Sequence, residues 1–227
     1  MQPYFLPYIG YWQLLAAVDK FIVLDDVAFI PRGWIHRNRI LVNGTPYLFT
    51  LPVSGSSQNR LINEIERADT DNWRHKFLST LRQSYGHAPY YKTTMAVLEP
   101  ILANPEKNLS HFVLDSLRTV AGYLCITMEL AAASSDYDKH GLKGQERIID
   151  ICKREGASCY LNLPGGILLY ELDRFTEENI DLRFVKPNET PYPQQAKGFV
   201  PWLSIIDVLM NVGRDGTRSM LGDFSLA

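Results

Sequence analysis

Two adjacent carboxylates, and a histidine beside an arginine, are the best candidates for acid–base chemistry in this chain. Asp25 and Asp26 follow an apolar run of strand length at residues 21–24, and the carboxyl end of a parallel strand faces the crevice where α/β proteins bind ligands. We expect a base or a metal ligand there. At most one of the two should face the site, because adjacent strand residues point to opposite faces. His36 could act as a general base, and Arg37 could clamp a phosphate or carboxylate.

Both patterns also have a purely structural interpretation. Asp25-Asp26 could be a solvated pair that begins a loop, and residues 36–39, His-Arg-Asn-Arg, could be the charged edge of a hairpin. The sequence leaves these alternatives open.

Three turns could approach an anionic ligand. Tyr8-Ile9-Gly10-Tyr11 resembles the His-x-Gly-His signature of nucleotidylyl transferases, with tyrosine in place of both histidines; a phenol, with a pKa of about 10, is a weaker donor than imidazolium. Ser134-Ser135 follows a strand-like segment, and paired glycines in Asn162–Gly166 would let a ligand approach the backbone. Each could equally be an ordinary turn.

The hydrophobic pattern predicts strands and helices around a helical middle third. Predicted strands cover residues 21–24, 40–42, 47–51, 61–65, 126–132, 158–161 and 182–185. Predicted helices cover residues 11–19, 73–86, 90–102, 109–124 and 144–154, with one ending at Asn179 and one beginning at Ser204. Asn43-Gly44 predicts a hairpin turn, and Asp69-Thr70-Asp71 predicts a helix cap. We therefore expect one domain over 1–227: an α/β fold with a mainly parallel, doubly wound sheet, a hairpin, and a helical insert at about 70–124.

The composition excludes several classes of protein. Hydrophobic residues make up 46% of the 227 positions and charged residues 21%, with a net charge of −2, which is typical of globular domains and unlike disordered or nucleic-acid-binding chains. No apolar run is long enough to span a bilayer, and we expect a cytoplasmic protein. Cys125 and Cys152 lie in apolar stretches and are expected in the core, and no metal site or bound cofactor is predicted.

Several longer motifs resemble the WbqC-like protein family. They are residues 1–12, 24–27, 34–40, 88–91, 134–135, 156–157, 160–162, 164–166, 192–199, 204–207 and 211–213. Members of that family occur in bacterial surface-polysaccharide loci. The resemblance therefore implies a role in O-antigen, lipopolysaccharide or capsule precursor assembly.

The activity that this resemblance implies is transfer of an acyl or aminoacyl group, such as glycine, onto the amine of a nucleotide-linked amino sugar. The donor would be a co-substrate: an acyl-CoA, the thioester of an acyl carrier protein, or an aminoacyl donor. On chemical grounds we assign the base to His36 or Asp26, with Asp25 as a further candidate catalytic residue. Candidate substrate contacts are Gln2, Tyr8, Tyr11, Trp34, Arg37, Asn38, Ser134, Ser135, Asn162, Gly165, Gly166 and Gln194.

Two alternatives remain. A nucleotidylyl transferase would use the Tyr-x-Gly-Tyr turn with a divalent metal. A non-catalytic sugar-binding or scaffold protein of glycan assembly would bind its ligand without turnover.

Overall fold

Helices and short strands alternate after residue 128, whereas short strands follow one another at residues 20–67 and helices at residues 71–124. A computed structural model describes residues 1–68 and 71–227. Helices α1 to α7 lie at Ile9–Ala16, Asp71–Tyr85, Tyr91–Ala103, Leu109–Leu124, Gly144–Arg154, Leu172–Glu177 and Ile205–Met220. Strands β1 to β9 lie at Lys20–Val23, Arg37–Val42, Thr45–Thr50, Val53–Ser54, Glu66–Arg67, Glu129–Ala133, Cys159–Asn162, Asp181–Pro187 and Phe224–Leu226. The α/β class predicted from the sequence is confirmed.

The sheets are small. Strand β1 pairs in parallel with β6, and β7 pairs in parallel with β8, whose other edge carries antiparallel β9. Strands β2 and β3 form a separate antiparallel pair, as do β4 and β5. The doubly wound parallel sheet is not confirmed, because the parallel strands lie in two separate small sheets.

The β2–β3 hairpin follows directly from its turn residues. Asn43 and Gly44 have φ values of 52° and 74°, the left-handed conformation that both positions of a type I′ turn require. Six residue pairs are in register from Arg37–Thr50 to Val42–Thr45. The predicted hairpin is confirmed.

The middle third is helical, as predicted. Asn108 caps α4, since its side chain accepts a hydrogen bond from the N–H of His111 at 3.2 Å. Asp69 and Thr70 of the predicted α2 cap lie outside the described residues. The strand predicted at 61–65 is wrong: a 3-10 turn occupies Ile62–Glu64, closed by the Glu64 carboxylate accepting from the N–H of Leu61 at 2.8 Å.

The buried apolar residues form a large cluster around α1, α4 and α7 and a smaller one around α5, α6 and β8. Cys152 is buried in the smaller cluster, as expected. The core position predicted for Cys125 is wrong: it is exposed and ends α4 with a φ of 55°, so its side chain lies outside the apolar face of the helix. That residues 1–227 form a single domain stays a prediction.

Candidate functional site

Three parallel strands begin at the same end of the molecule. The Nζ of Lys20, at the start of β1, lies 3.3 Å from an oxygen of Glu129 at the start of β6. It also lies 2.6 Å from an oxygen of Glu155, shortly before β7. The carboxyl ends of β1, β6 and β7 therefore share the opposite side, where ligand sites of α/β proteins form. We call this side the carboxyl edge; it carries Asp25-Asp26, Ser134-Ser135 and Asn162–Gly166.

At the carboxyl edge, Asp25 is a buried carboxylate held by hydroxyl and amide donors. Its Oδ1 accepts from the N–H of Ser135 at 3.1 Å and from the hydroxyl of Ser134 at 3.3 Å. Its Oδ2 accepts from the hydroxyls of Ser135 at 3.1 Å and Ser110 at 3.4 Å. Asp25 is 1% exposed, whereas Ser135 is exposed. The Ser135 hydroxyl therefore connects a buried carboxylate to the surface.

The neighbouring carboxylate, Asp26, is paired with cations. Its Oδ2 lies 3.5 Å from Arg147 and 3.5 Å from Lys139. Its Oδ1 accepts from the hydroxyl of Ser134 at 2.5 Å. Arg147 is 2% exposed and also donates to the carbonyls of Ser134 and Tyr137, at 2.8 and 2.7 Å. This arginine fixes the turn that carries the two serines.

Both carboxylates contact the same buried hydroxyl, so the alternation of side-chain directions expected for adjacent strand residues does not hold here. The Ser134 hydroxyl lies 3.3 Å from Asp25 Oδ1 and 2.5 Å from Asp26 Oδ1. The physical reason is that β1 ends at Val23. Beyond that residue the backbone is no longer pleated, and the alternation of faces does not apply.

The Asn162–Gly166 segment extends the carboxyl edge beyond β7. The Nδ2 of Asn162 lies 3.1 Å from the hydroxyl of Tyr170, and its Oδ1 accepts from the N–H of Leu163 at 2.7 Å. A Cβ at Gly166 would lie 2.7 Å from Asn162 Nδ2, so this glycine is required by packing. A Cβ at Gly165 would have nothing within 4 Å, which leaves its backbone open to a ligand.

The residues of the Tyr-x-Gly-Tyr turn make their contacts with other parts of the protein itself. The hydroxyl of Tyr11 donates to the carbonyl of Gln2 at 2.8 Å, and Tyr11 is 2% exposed. A Cβ at Gly10 would lie 2.4 Å from the Tyr8 ring and 2.5 Å from Pro187. Burial raises the pKa of the Tyr8 phenol, which makes it a weaker acid. These contacts give the turn a structural role and do not favour nucleotidylyl transfer.

His36 is buried, with 4% exposure, and its ring lies 5.3 Å from that of Phe29. Its Nδ1 has no hydrogen-bond partner in the described part of the chain. Burial, and secondarily the charge of Arg37, lowers the pKa of His36 to about 4. The ring is therefore neutral at pH 7 but a weak base, and it does not join the Asp25–Ser135 group by any described hydrogen bond.

Aromatic rings and arginines form a second surface, which we call the aromatic–arginine surface: Tyr4, Tyr8, Trp34, Trp202, Arg37 and Arg39. The guanidinium carbons of both arginines lie 5.9 Å from the centre of the Trp34 ring, within cation–π distance. Trp34 is 48% exposed and Trp202 41%. Flat exposed rings beside cations suit the face of a sugar and a phosphate.

Asn38 and Gln194 hold the fold around Leu6 and Asp207. Asn38 donates to the carbonyl of Leu6 at 2.7 Å, where φ is 45°. Gln194 donates to the Asp207 carboxylate at 3.0 Å and accepts from the N–H of Val200 at 2.8 Å. Their side chains position the backbone in this structure.

Ser110, Lys139 and Arg147 were missed as site residues. Ser110 lies 85 residues from Asp25 along the chain, and Lys139 lies 113 from Asp26, separations that local patterns do not report. Arg147 did leave a signal: it lies four positions before Ile151, and residues at that spacing share one face of a helix.

Comparison with known proteins identifies the chain's relatives. The family model described as the WbqC-like protein family matches residues 2–219. A relative from Mycobacterium tuberculosis (strain ATCC 25618 / H37Rv), "Uncharacterized protein Rv1507c", is 31% identical over 218 residues, which cover 95% of this chain and 93% of the relative. No solved structure matches the chain significantly. In the described residues, no helix has both the length and the apolar character needed to cross a membrane.

Proposed function

The chain belongs to the WbqC-like protein family, and we propose that it is an enzyme that transfers an acyl or aminoacyl group onto the amine of a nucleotide-linked amino sugar. The observation that carries this proposal is the Asp25–Ser135 pair. It places an exposed hydroxyl 3.1 Å from a buried carboxylate oxygen at the carboxyl edge. Attack by an amine requires a group that takes up its proton.

In the proposed reaction the sugar amine attacks the carbonyl carbon of the acyl donor. A C–N bond forms and the bond from that carbon to the leaving sulfur or oxygen breaks. The amine proton passes to the Ser135 oxygen as the Ser135 proton passes to Asp25. The proton held by Asp25 then returns through Ser135 to the leaving sulfur or oxygen, which restores both groups. We assign the base to Asp25 and not to His36, because the exposed Ser135 hydroxyl connects Asp25 to the surface, whereas no described hydrogen bond connects the buried His36 ring to an exposed group.

Asp26 is proposed to hold the reacting turn in place. Its carboxylate binds the Ser134 hydroxyl at 2.5 Å and is neutralised by Arg147 and Lys139. A fixed turn keeps the adjacent Ser135 hydroxyl aimed at Asp25, so that little reorganisation is needed during proton transfer.

We propose that the nucleotide sugar spans the carboxyl edge and the aromatic–arginine surface. The open backbone at Gly165 suits a diphosphate oxygen, and Arg37 or Arg39 would neutralise its charge. Trp34 and Tyr8 would contact the sugar ring. Gln2 is half-buried and its carbonyl accepts from the Tyr11 hydroxyl at 2.8 Å; its side chain remains a candidate contact.

The test is product formation by the purified protein. Nucleotide-linked amino sugars would be incubated with acyl-CoA, acyl carrier protein thioester or aminoacyl donors, and the products examined by mass spectrometry. The proposal predicts an amide product whose mass increases by the acyl group, with none from the matching hydroxyl sugar. An ester on the hydroxyl sugar, or binding without any product from the whole panel, would contradict it.

A further inference from the structure

The edges of β1 and β7 face each other across a cavity of ≈ 450 Å³. Residues 19–22 line one side of it and residues 156–161 line the other. Lys20, the first residue of β1, lies 2.6 Å from Glu155, four residues before β7 begins at Cys159. The cavity therefore separates two parallel strand edges that run in the same direction.

Met1 already forms one position of a strand between them. Its amine donates to the carbonyl of Ile22 at 3.0 Å, and its carbonyl accepts from the N–H of Leu24 at 2.8 Å. This is the hydrogen-bond pattern of a residue paired in parallel with Val23. A chain continuing from the amine of Met1 would pass beside Phe21 and Lys20, inside the cavity.

We propose that this cavity is the seat of a β-strand: an extended apolar peptide segment, covalently continuous with the amine of Met1, that pairs in parallel with both β1 and β7. Such a strand would join β6–β1 to β7–β8–β9 as one sheet. The doubly wound arrangement predicted from the sequence would then be complete.

The chemistry of the cavity favours a peptide over a lipid. Its walls include apolar residues of α1, of the segment that follows α1 and of α5, among them Leu14, Val18, Ile148 and Ile151, as expected around a buried parallel strand. Backbone N–H and C=O groups along the open edges need partners, and an acyl chain would leave them unpaired. A peptide strand satisfies both requirements.

The state of the Met1 amine agrees with this proposal. Burial lowers the pKa of this amine to about 5. A peptide N–H at the same place would carry no charge and would keep the hydrogen bond to Ile22. Joining a residue to Met1 would therefore replace a buried ionisable amine by an uncharged peptide N–H.

The experiment extends the chain at Met1 by four residues, the length of β1. One variant carries alternating valine and isoleucine; the matched control has the same length with proline at alternate positions, which cannot form the ladder. Thiol modification rates report occupancy, because Cys159 lines the cavity whereas Cys125 does not, and both thiols are exposed.

We expect the apolar extension to slow modification of Cys159 by about tenfold, since the thiol would react only when the strand opens. Cys125 should react at an unchanged rate, and the proline control should behave as the parent. An unchanged Cys159 rate, or equal protection by the control, would overturn the proposal. The proposal would also be overturned if a fatty acid or a free peptide protected Cys159 while the apolar extension did not.

Discussion

Asp25 and Asp207 are both buried, with 1% and 0% exposure, and both accept hydrogen bonds from hydroxyl groups. Asp207 lies in the first turn of α7 and accepts from Tyr85 at 2.7 Å and Tyr192 at 2.8 Å. Asp25 follows β1 and accepts from three serines. The two sites therefore resemble each other in burial and in donor type.

The two sites differ in how accessible their hydrogen-bond donors are to solvent. Tyr85 is fully buried and also accepts from the N–H of Leu41 at 2.8 Å, so the Asp207 group connects α2, β2 and α7 inside the fold. Tyr192 is half-buried, whereas Ser135 is exposed, so the Asp25 group has the more accessible donor. Burial of a carboxylate alone does not identify a catalytic site; an accessible hydrogen-bond partner is also required.

The largest effect is expected from Asp25→Asn. The variant keeps hydrogen-bonding capacity but cannot accept the proton, so kcat for acyl transfer should fall by about 10²-fold or more. The melting temperature should stay close to that of the parent. The control is Asp215→Asn, on the exposed side of α7, which should retain parental kcat. Equal kcat values for Asp25→Asn and Asp215→Asn would contradict a catalytic role for Asp25.

Asp207→Leu should affect stability instead. It leaves the buried hydroxyls of Tyr85 and Tyr192 without their acceptor, which we expect to cost about 3 kcal/mol of unfolding free energy. Urea unfolding measures this loss, and kcat per folded molecule should remain within about twofold of the parent. Loss of turnover in a variant that is still folded would show that Asp207 also acts in catalysis.

His36 should contribute to stability through pH. Its folded pKa of about 4 lies below the ordinary value of 6.5, so the unfolded chain binds the proton more tightly. Stability should therefore fall as the pH drops from 6.5 towards 4. Between pH 7 and 4.5, the free energy of unfolding should fall by about 2 kcal/mol less in His36→Gln than in the parent. Turnover should be retained in this variant. The exposed His75→Gln variant is the control, and a steep loss unchanged by His36→Gln would contradict the assignment.

Trp34→Ala should give the smallest effect. Removing an exposed ring that stacks with Arg37 and Arg39 should raise KM for the nucleotide sugar about fivefold, equivalent to about 1 kcal/mol. Neither kcat nor the melting temperature should change. Tyr47→Ala removes another exposed ring, 50% exposed on β3, and serves as the comparison. Equal KM values for these two variants would exclude the aromatic–arginine surface as the sugar site.

The sequence predicted features that depend on neighbouring residues. The Asn43-Gly44 turn and the acidic pair after β1 were both recognised in this way. Each involves residues within a few positions of one another, where backbone preferences decide the conformation.

Features that depend on distant residues were not predictable. The contacts from Ser134 and Arg147 to Asp26 join residues 108 and 121 positions apart. The 3-10 turn at Ile62–Glu64 shows the same limit on a smaller scale. Its apolar residues suit a strand. The turn is favoured instead by the packing of Ile62 and Ile65, which are both fully buried, and by the hydrogen bond from the Leu61 N–H to Glu64.

The most direct test of the Asp25 site compares Ser135→Ala with Ser110→Ala in single-turnover acyl transfer. Both hydroxyls donate to the same oxygen, Asp25 Oδ2, at 3.1 and 3.4 Å, but only Ser135 is exposed. We predict that Ser135→Ala lowers the transfer rate by about 10²-fold with little change in KM, and that Ser110→Ala leaves the rate within about threefold. Equal rates for the two folded variants would contradict the proposed path from substrate to Asp25.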